Sequence, residues 1–244
     1  MILMQKFLFL TVLAVLVFTI LFFATPTRTI GTGILLDKDG RLIVLTSLVE
    51  NASDIIVKFP NADNIHAKKT GKTASNLLSV FQLETLPKVE RTSVQFSDSF
   101  RIKKGDYLFA LFYPIANTQE DKHILREGNI TSANGPGGDN RFFEIDFPVN
   151  PGEGGGPLFN SKGEVVGITL SAQDIQKVLG SDLKVSNLKG YGLKNSAIKG
   201  FKKIIYQKPL SPSSLSKRQL DLSRGLAYFI EGIQKNIVLI ETGT

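Results

Sequence analysis

Short apolar runs separated by turn residues are the feature that most constrains how this chain folds. Seven such runs lie between residues 31 and 170, and they read GTGILLD, RLIVLTSLV, DIIVKF, LLSVFQL, DYLFALFY, FFEIDFPV and EVVGITL. The breaks between runs carry hairpin and turn signals, found at Asp39-Gly40, Pro60-Asn61, Lys104-Gly105, Asn134-Gly135 and Lys162-Gly163. Strands that recur at this spacing predict an all-β sandwich or barrel.

Helical spacing of apolar residues begins only late in the chain. The segment SAIKGFKKII from Ser196 has this spacing. After a polar break at 211–214, a second candidate runs from Leu215 to Gln234 and is followed by the apolar end NIVLIE. No convincing helix is expected before about Asn195. The sequence therefore predicts short C-terminal helices after the strands.

The N-terminal run at 7–24, FLFLTVLAVLVFTILFFA, carries no charge. Its 18 residues, at about 1.5 Å each in a helix, approach the hydrocarbon thickness of a bilayer. A single-pass transmembrane anchor is the first interpretation, and a cleaved signal peptide is the alternative, because Lys6 precedes the run. Lys6 and the terminal amine on one side, against Arg28 on the other, favour an extracytoplasmic folded domain, periplasmic in a bacterium.

Residue usage excludes several kinds of site. The chain has no cysteine, which rules out disulfides, a thiol nucleophile and cysteine-ligated metals. It has two histidines, His66 and His123, so imidazole chemistry has few sources. The net charge of +7 is concentrated late in the chain and predicts a basic surface near a membrane. No aromatic-basic reading motif accompanies this charge, so we expect no nucleic acid partner, and we expect no cofactor.

A glycine-rich stretch from Asn150 to Ile168, NPGEGGGPLFNSKGEVVGI, is by itself a turn that leads into a hairpin. It also resembles the nucleophile loop of HtrA/Deg-type serine proteases, whose pattern is Asn-Pro-Gly-Asn-Ser-Gly-Gly-Pro-Leu. Five further blocks follow the family's order, and these are GTGILLDKDGRLIVLTSLVENASDI, SNLLSVFQL, FSDSFRIKKGDYLFALFYP, EGNITSANG and GYGLKNSAIKGFKKII. The blocks cover about residues 31 to 206, and the resemblance implies a trypsin-like domain with the chymotrypsin-like double β-barrel.

The resemblance also locates the three positions that perform acyl transfer in this family: an imidazole base, a carboxylate and a hydroxyl nucleophile. In this chain they hold Ser47, Asn76 and Gly154. Serine does not accept a proton near neutral pH, a neutral amide does not stabilise an imidazolium, and glycine has no side chain. No histidine lies within 42–54 and no serine or threonine within 150–159, so a small register shift does not restore the triad.

The nucleophile loop nevertheless retains its glycines. By the resemblance, the amides of Gly152 and Gly154 are candidates for binding a carbonyl or carboxylate oxygen, as paired amide donors do in active enzymes. The alternative is that the glycines remain because the loop geometry requires them. Glu153 between them adds a negative charge that would disfavour an anionic ligand.

Two other functions remain open from the residues alone. One is an enzyme with a relocated site, which would pair a serine with a histidine drawn from Ser47, Ser75, Ser79, His66 and His123. The other is a metal-binding scaffold in which both histidines join acids such as Asp63 or Asp121. The spacing of the two histidines gives no metal-ligand signature.

The chain departs from the family pattern at both ends. The strand that usually precedes the Gly-x-Gly block falls in the N-terminal segment, so the first barrel is expected to lack a strand or to use TPTRTI as a stub. No carboxylate-binding loop of the PDZ type is visible after Lys208. The expected organisation is an anchor at 1–26, a double barrel at 27–208 and a C-terminal extension, largely helical, at 209–244.

Together these features predict a membrane-anchored, trypsin-like pseudoprotease that acts in binding, scaffolding or regulation. The membrane would be engaged through 7–24. The expected partner is a peptide, a protein or a membrane protein, held by strand addition in the cleft or at the sheet edges of the double barrel.

Overall fold

The computed structural model of the protein describes residues 30–59, 63–73, 75–88, 94–97, 102–114, 123–180, 182–197 and 224–242. The strands in these ranges are β1 (Ile30–Leu35), β2 (Arg41–Leu45), β3 (Asp54–Lys58), β4 (Ile65–Lys72), β5 (Leu78–Leu83), β6 (Tyr107–Phe112), β7 (Ile124–Ser132), β8 (Phe142–Ile145), β9 (Pro157–Asn160), β10 (Val165–Leu170), β11 (Gly190–Lys194) and β12 (Ile237–Thr242). The helices are α1 (Ala172–Leu179) and α2 (Arg224–Ile233), with short 3-10 turns at Thr46–Leu48, Pro136–Gly138, Asn195–Ala197 and Gln234–Asn236.

The strands form two closed barrels of six strands each. The first has the order β1-β12-β3-β4-β5-β2 and the second the order β10-β11-β8-β7-β6-β9. All the pairings between neighbouring strands in the barrels are antiparallel. The expected all-β double barrel is confirmed.

Alternation of side chains along the strands builds three apolar clusters. In β3, for example, Ile55 and Val57 are buried while the residues around them are partly exposed. One cluster fills the first barrel and another fills the second. The third joins outward-facing side chains of both barrels with the buried faces of α1 and α2. The two barrels are therefore packed against each other through a continuous apolar layer.

The sixth strand of the first barrel comes from the C-terminal end of the described chain. Strand β12 pairs with β1 on one side, with Gly31 opposite Ile240, and with β3 on the other, with Leu239 opposite Lys58. The sequence predicted a C-terminal extension beyond residue 208 and a first barrel short of a strand. The structure corrects that boundary, because residues at the far end of the chain supply the strand that closes the barrel.

Burial explains why β12 holds this place. Its residues 237–240 are each at most 4% exposed, and Val238 and Ile240 point into the first barrel while Leu239 faces the shared layer. At its end, Glu241 forms an ion pair with Lys58 at 2.6 Å. The strand therefore carries apolar side chains on both faces, as expected of a strand buried on both sides.

Helix α2 lies directly before β12 and packs on the second barrel. Its Phe229 ring meets Phe109 and Phe159 edge to face, with ring centroids 5.9 and 5.3 Å apart. The Phe229 ring also lies against Gly163, where an added Cβ would be 2.6 Å from the nearest ring atom. The C-terminal helix predicted around Leu215 to Gln234 thus appears at its distal end, where it ties the second barrel to the strand that closes the first.

Helix α1 was not predicted from the sequence, because no helix was expected before about Asn195. It follows β10 directly and has only eight residues, too few for a clear apolar period. Its start is nevertheless marked by a capping box between Ser171 and Asp174.

Two sequence predictions fall outside the described residues. These are the anchor at 7–24 and most of the predicted helix that begins at Ser196. Within the ranges that the structure describes, no helix is long and apolar enough to cross a membrane.

Candidate functional site

The two positions that the resemblance assigns to the base and the nucleophile, Ser47 and Gly154, lie against a single side chain at the junction of the two barrels. Ser47 lies in the 3-10 turn that follows β2 of the first barrel. Gly154 lies in the loop between β8 and β9 of the second barrel. Both are in contact distance of Asp174, which belongs to the first turn of α1.

Asp174 occupies the space in which a nucleophile's side chain would begin. Its Oδ1 accepts a hydrogen bond from Ser47 Oγ at 3.0 Å. A Cβ added to Gly154 would lie 2.9 Å from Asp174 Oδ2 and 2.8 Å from Leu45 Cδ1, closer than real Cβ contacts. Any side chain at this position would therefore have to displace both the carboxylate and the leucine.

The start of α1 holds the Asp174 carboxylate in place. The N–H and the Oγ of Ser171 both donate to Oδ2, at 2.9 and 2.7 Å, and the Asp174 N–H donates back to Ser171 Oγ at 3.1 Å. The residue is 8% exposed, and the next one, Ile175, is fully buried in the layer between the barrels. The Asp174 carboxylate is thus buried and hydrogen-bonded on both oxygens.

Asn76, at the former carboxylate position, has a conformational role. Its φ of 57° makes it the one non-glycine residue with a positive φ among those the structure describes, and asparagine is among the residues that tolerate this region best. Its N–H donates to Thr73 O at 2.8 Å in the turn that leads into β5. Its side chain is exposed. No imidazole is hydrogen-bonded to it within the described chain.

The nucleophile loop has the backbone shape that its glycines allow. Gly152 and Gly155 have φ values of 84° and 98°, which other residues rarely adopt. The Gly155 N–H donates to Thr169 O at 2.9 Å and anchors the loop on β10. The N–H groups of Gly152 and Gly154 have no acceptor among the residues described by the structure. The two amides named from the sequence are therefore not used as donors within the described residues.

Glu153 does not project into the cleft. It is 6% exposed, and its carboxylate accepts from the Asn150 N–H at 2.9 Å. The Arg126 guanidinium pairs with it at 3.2 Å, lies over the Phe112 ring and also donates to Pro148 O. The expected repulsion of an anionic ligand by Glu153 is therefore offset by a neighbouring cation.

Glu153→Gln is expected to lower the free energy of unfolding by about 1–3 kcal/mol, because it weakens a charge-assisted bond and leaves the Arg126 charge half-buried without a counter-ion. Urea denaturation measures this change. Glu231→Gln, at an exposed position on α2, is the control and should change stability by less than about 0.5 kcal/mol. Equal effects of the two substitutions would contradict the role given to the ion pair.

The histidines and serines considered for a relocated site have other partners. His66 Nδ1 lies 3.1 Å from Asp54 Oδ2, and His123 Nε2 lies 3.0 Å from Ile237 O. The remaining hydroxyl pairs each join a serine to a threonine, and they are Ser79 with Thr46 at 3.1 Å and Ser75 with Thr73 at 3.2 Å. In the described part of the chain, no candidate serine is hydrogen-bonded to an imidazole.

His123 links the second barrel to the strand that closes the first. Its ring lies 4.3 Å from the ring of Tyr113, centroid to centroid, and its Nε2 meets the carbonyl of Ile237. Burial lowers the pKa of His123 below its ordinary value of 6.5, and the bond to Ile237 partly offsets this. The neutral ring is therefore the form that suits the folded chain.

Acidification is expected to destabilise the protein through His123. Because its pKa is lower in the folded chain than in the unfolded one, its contribution is fully present above about pH 6.5 and is lost as the pH falls, by at most about 1.4 kcal/mol per pH unit. Urea midpoints at pH 7.5 and 5.5 measure this loss. His123→Gln keeps a donor for Ile237 O and should lose less stability; an identical loss would contradict the assignment.

The metal-scaffold hypothesis gains no support from the geometry. Across the described ranges, no group of three or more histidine or acidic side chains lies close enough together to hold a metal ion. His66 and His123 bind to different partners on β3 and β12. Asp121 lies outside the described residues.

Asp174 is the site residue that the sequence did not reveal. The resemblance to the family predicted the triad positions at 47, 76 and 154, but not the side chain that lies against Ser47 and Gly154. The local signal was the Ser171-x-x-Asp174 capping box, which predicts where a helix starts. The position of Asp174 against Gly154 depends on the packing of two barrels and could not be predicted from local sequence.

Comparisons with known proteins agree with this geometry. The family model described as "Trypsin-like peptidase domain" matches residues 31–168, more than half of the chain. A solved structure described as "HtrA-type protease AlgW with decapeptide" superposes with a TM-score of 0.54 at 21% identity, and the match covers 72% of this chain and 52% of that one. This likeness shows the fold.

Two curated relatives carry the sequence similarity further. The uncharacterised protein y4bJ of Sinorhizobium fredii is 26% identical over 171 residues, which covers 70% of this chain and 26% of the relative. The protein of Pseudomonas putida named "Probable periplasmic serine endoprotease DegP-like" is 31% identical over 147 residues, covering 58% of this chain and 29% of the relative. The chain thus spans less than a third of the length of either relative.

Proposed function

We propose that this chain, which belongs to the trypsin-like peptidase domain family, is a pseudoprotease that binds polypeptide without cleaving it. The observation that carries the proposal is the Asp174 carboxylate, which lies 2.9 Å from the place of a Gly154 side chain and accepts from Ser47. A domain that binds a protein partner and leaves it intact is suited to scaffolding or regulation. We assign this role to the membrane because of the anchor proposed at 7–24.

Electrostatics argue against acyl transfer at this centre. Cleavage develops negative charge on the carbonyl oxygen, and active sites place donors or cations there. Here a buried carboxylate stands beside the loop, and its negative charge opposes that development. The hydroxyl of Ser47 donates to Asp174, and a carboxylate is a much weaker base than an imidazole at neutral pH.

The cleft between the barrels is the place we assign to the partner. Each of the twelve described strands already has two neighbours in a closed barrel, so these strands offer no free edge for strand addition. The junction instead offers the amide donors of Gly152 and Gly154 beside the apolar layer that joins the barrels. Strand addition at sheet edges is therefore set aside in favour of binding in the cleft.

The proposed location is the outer face of a membrane, with residues 7–24 as the anchor. The uncharged run supports the anchor, and the relative from Pseudomonas putida, named as periplasmic, supports the extracytoplasmic side. Full-length protein should remain in the pellet after alkaline carbonate extraction and should be protected from protease until the outer compartment is opened. Extraction into the soluble fraction would contradict the anchor.

Fluorescein-labelled casein, an unfolded polypeptide, tests binding and cleavage together. The full-length chain in detergent should raise the anisotropy of the label and release no fragments above buffer over a day, whereas trypsin under the same conditions should release them. Fragments that scale with the concentration of this chain would contradict the pseudoprotease, and the absence of any anisotropy change would contradict polypeptide binding.

A further inference from the structure

The Asp174 carboxylate in the first turn of α1 is held by donors at the junction of the two barrels, two of them from the capping box of the helix itself. Three donors converge on the Asp174 oxygens: Ser47 Oγ on one, and the N–H and Oγ of Ser171 on the other. Ser47 comes from the first barrel and Ser171 from the second. The site therefore lies in the cleft between the barrels, where the proposed function places a polypeptide.

The loop between β8 and β9, which meets Asp174 at Gly154, carries two further backbone donors. The amides of Gly152 and Gly154 have no acceptor in the described part of the chain. Ile175 follows Asp174 in the chain and is fully buried in the apolar layer between the barrels. It indicates which kind of side chain fits next to a carboxylate at this place. A ligand that presents a carboxylate beside a branched apolar residue would match this surface.

We propose that the cleft binds a polypeptide segment that carries a carboxylate next to a branched apolar side chain, and that Asp174 and Ile175 of α1 are an intramolecular competitor for this site. The inference rests on the proposed function, because it specifies the ligand and the regulation of the same cleft. The carboxylate comes either from an acidic side chain or from a chain terminus.

Helix α1 is short and buried on one face only, which favours its local opening. Its outer face is exposed at Gln173, Gln176 and Lys177, so one face alone is buried. The segment that follows is also exposed, with Leu188 84% exposed. Local opening of such an element costs less than global unfolding. A tethered competitor lowers the apparent affinity for an external ligand by the fraction of chains in which the site is open.

The chain's own α1 segment supplies the probe. A fluorescein-labelled peptide of residues 171–180 is titrated into the full-length chain in detergent, as wild type and as Asp174→Ala. The substitution removes the internal carboxylate and keeps the donors of Ser47 and Ser171. Gln176→Ala, on the exposed face of α1, is the matched control for changes in helix composition.

Three comparisons follow from the proposal. The peptide should bind Asp174→Ala at least about tenfold more tightly than wild type or Gln176→Ala, because the competing carboxylate is gone. The same peptide carrying Asp174→Asn should bind the variant at least about tenfold less tightly than the acidic peptide, because charge-assisted bonds are lost. Free and amidated C-termini on the Asn peptide then show whether a terminal carboxylate substitutes for the side chain.

A second readout uses the wild-type chain and does not depend on how well the variant folds. A saturating concentration of the acidic peptide should speed amide hydrogen exchange in 172–179 and leave exchange in β10 unchanged, because the ligand displaces α1. Bound peptide without a change in α1 exchange would overturn the proposal.

The casein experiment separates this inference from the proposed function. One outcome is that casein binds wild type and that the acidic peptide binds wild type and Asp174→Ala equally. This outcome overturns the competitor role and leaves polypeptide binding intact. Failure of casein and peptide to bind either chain overturns both. Equal binding of the acidic and Asn peptides to Asp174→Ala overturns the carboxylate specificity.

Discussion

A chain that ends at Asn236 is expected not to fold, although the eight residues it lacks, 237–244, lie far along the sequence from the other strands of the first barrel. The truncation removes β12, whose residues 237–240 are each at most 4% exposed. Burial of four such side chains contributes about 6–12 kcal/mol, which is comparable to the whole stability of a typical domain. It also leaves the facing edges of β1 and β3 unpaired.

Circular dichroism and thermal melting of the truncated chain test this expectation. Removal of residues 243–244 alone is the control and should leave the melting temperature within a few degrees of wild type. Ile240→Ala gives a graded version, with an expected loss of about 2–5 kcal/mol, against little change for Tyr228→Ala at a position 74% exposed. A cooperative melt of the chain ending at Asn236, near the wild-type temperature, would show that the barrel closes without β12.

Rebuilding the triad is expected to leave the protein inactive. The triple variant Ser47→His, Asn76→Asp and Gly154→Ser restores the residue types of a serine protease, but the new Ser side chain would overlap Asp174 and Leu45. We expect no hydrolysis of casein above buffer. Gly154→Ser alone should cost about 1–3 kcal/mol of stability, because it overfills a packed site.

Gly71→Ser is the matched control, since a Cβ added there meets nothing within 4 Å. Its effect on the melting temperature should be small, whereas Gly154→Ser should lower that temperature by several degrees. Adding Asp174→Ala to the triple variant removes one of the two side chains that the new serine would meet, and we expect any gain of activity only in this quadruple variant. Hydrolysis by the triple variant would mean that Asp174 does not block the centre.

The ordered motifs predicted the fold because each one fixes a local element. The runs around Gly31 to Leu45 and Asp54 to Lys58, with the turns between them, set the strand positions, and the resemblance to HtrA-type proteases supplied their arrangement in two barrels. That resemblance is confirmed by the family match and by the superposed structure. The pseudoprotease role and the membrane anchor stay predictions.

Non-local packing accounts for what the sequence did not predict. The run NIVLIE looked like the end of a helical tail, because its four consecutive apolar residues carry no period that separates strand from helix. Its pairing with β1 depends on contacts across almost the whole chain. Likewise, the resemblance predicted that residue 154 lacks the nucleophile's hydroxyl, but only the three-dimensional structure shows the Asp174 carboxylate against Gly154.

Labelling with a fluorophosphonate that reacts with activated serines tests the inert centre most directly. The full-length chain is incubated with the reagent beside an active trypsin-like protease, and intact mass is measured for both. We predict that the mass of this chain stays unchanged while the protease gains one adduct. An adduct on Ser47, Ser75 or Ser79, located by fragment mass spectrometry, would contradict the account.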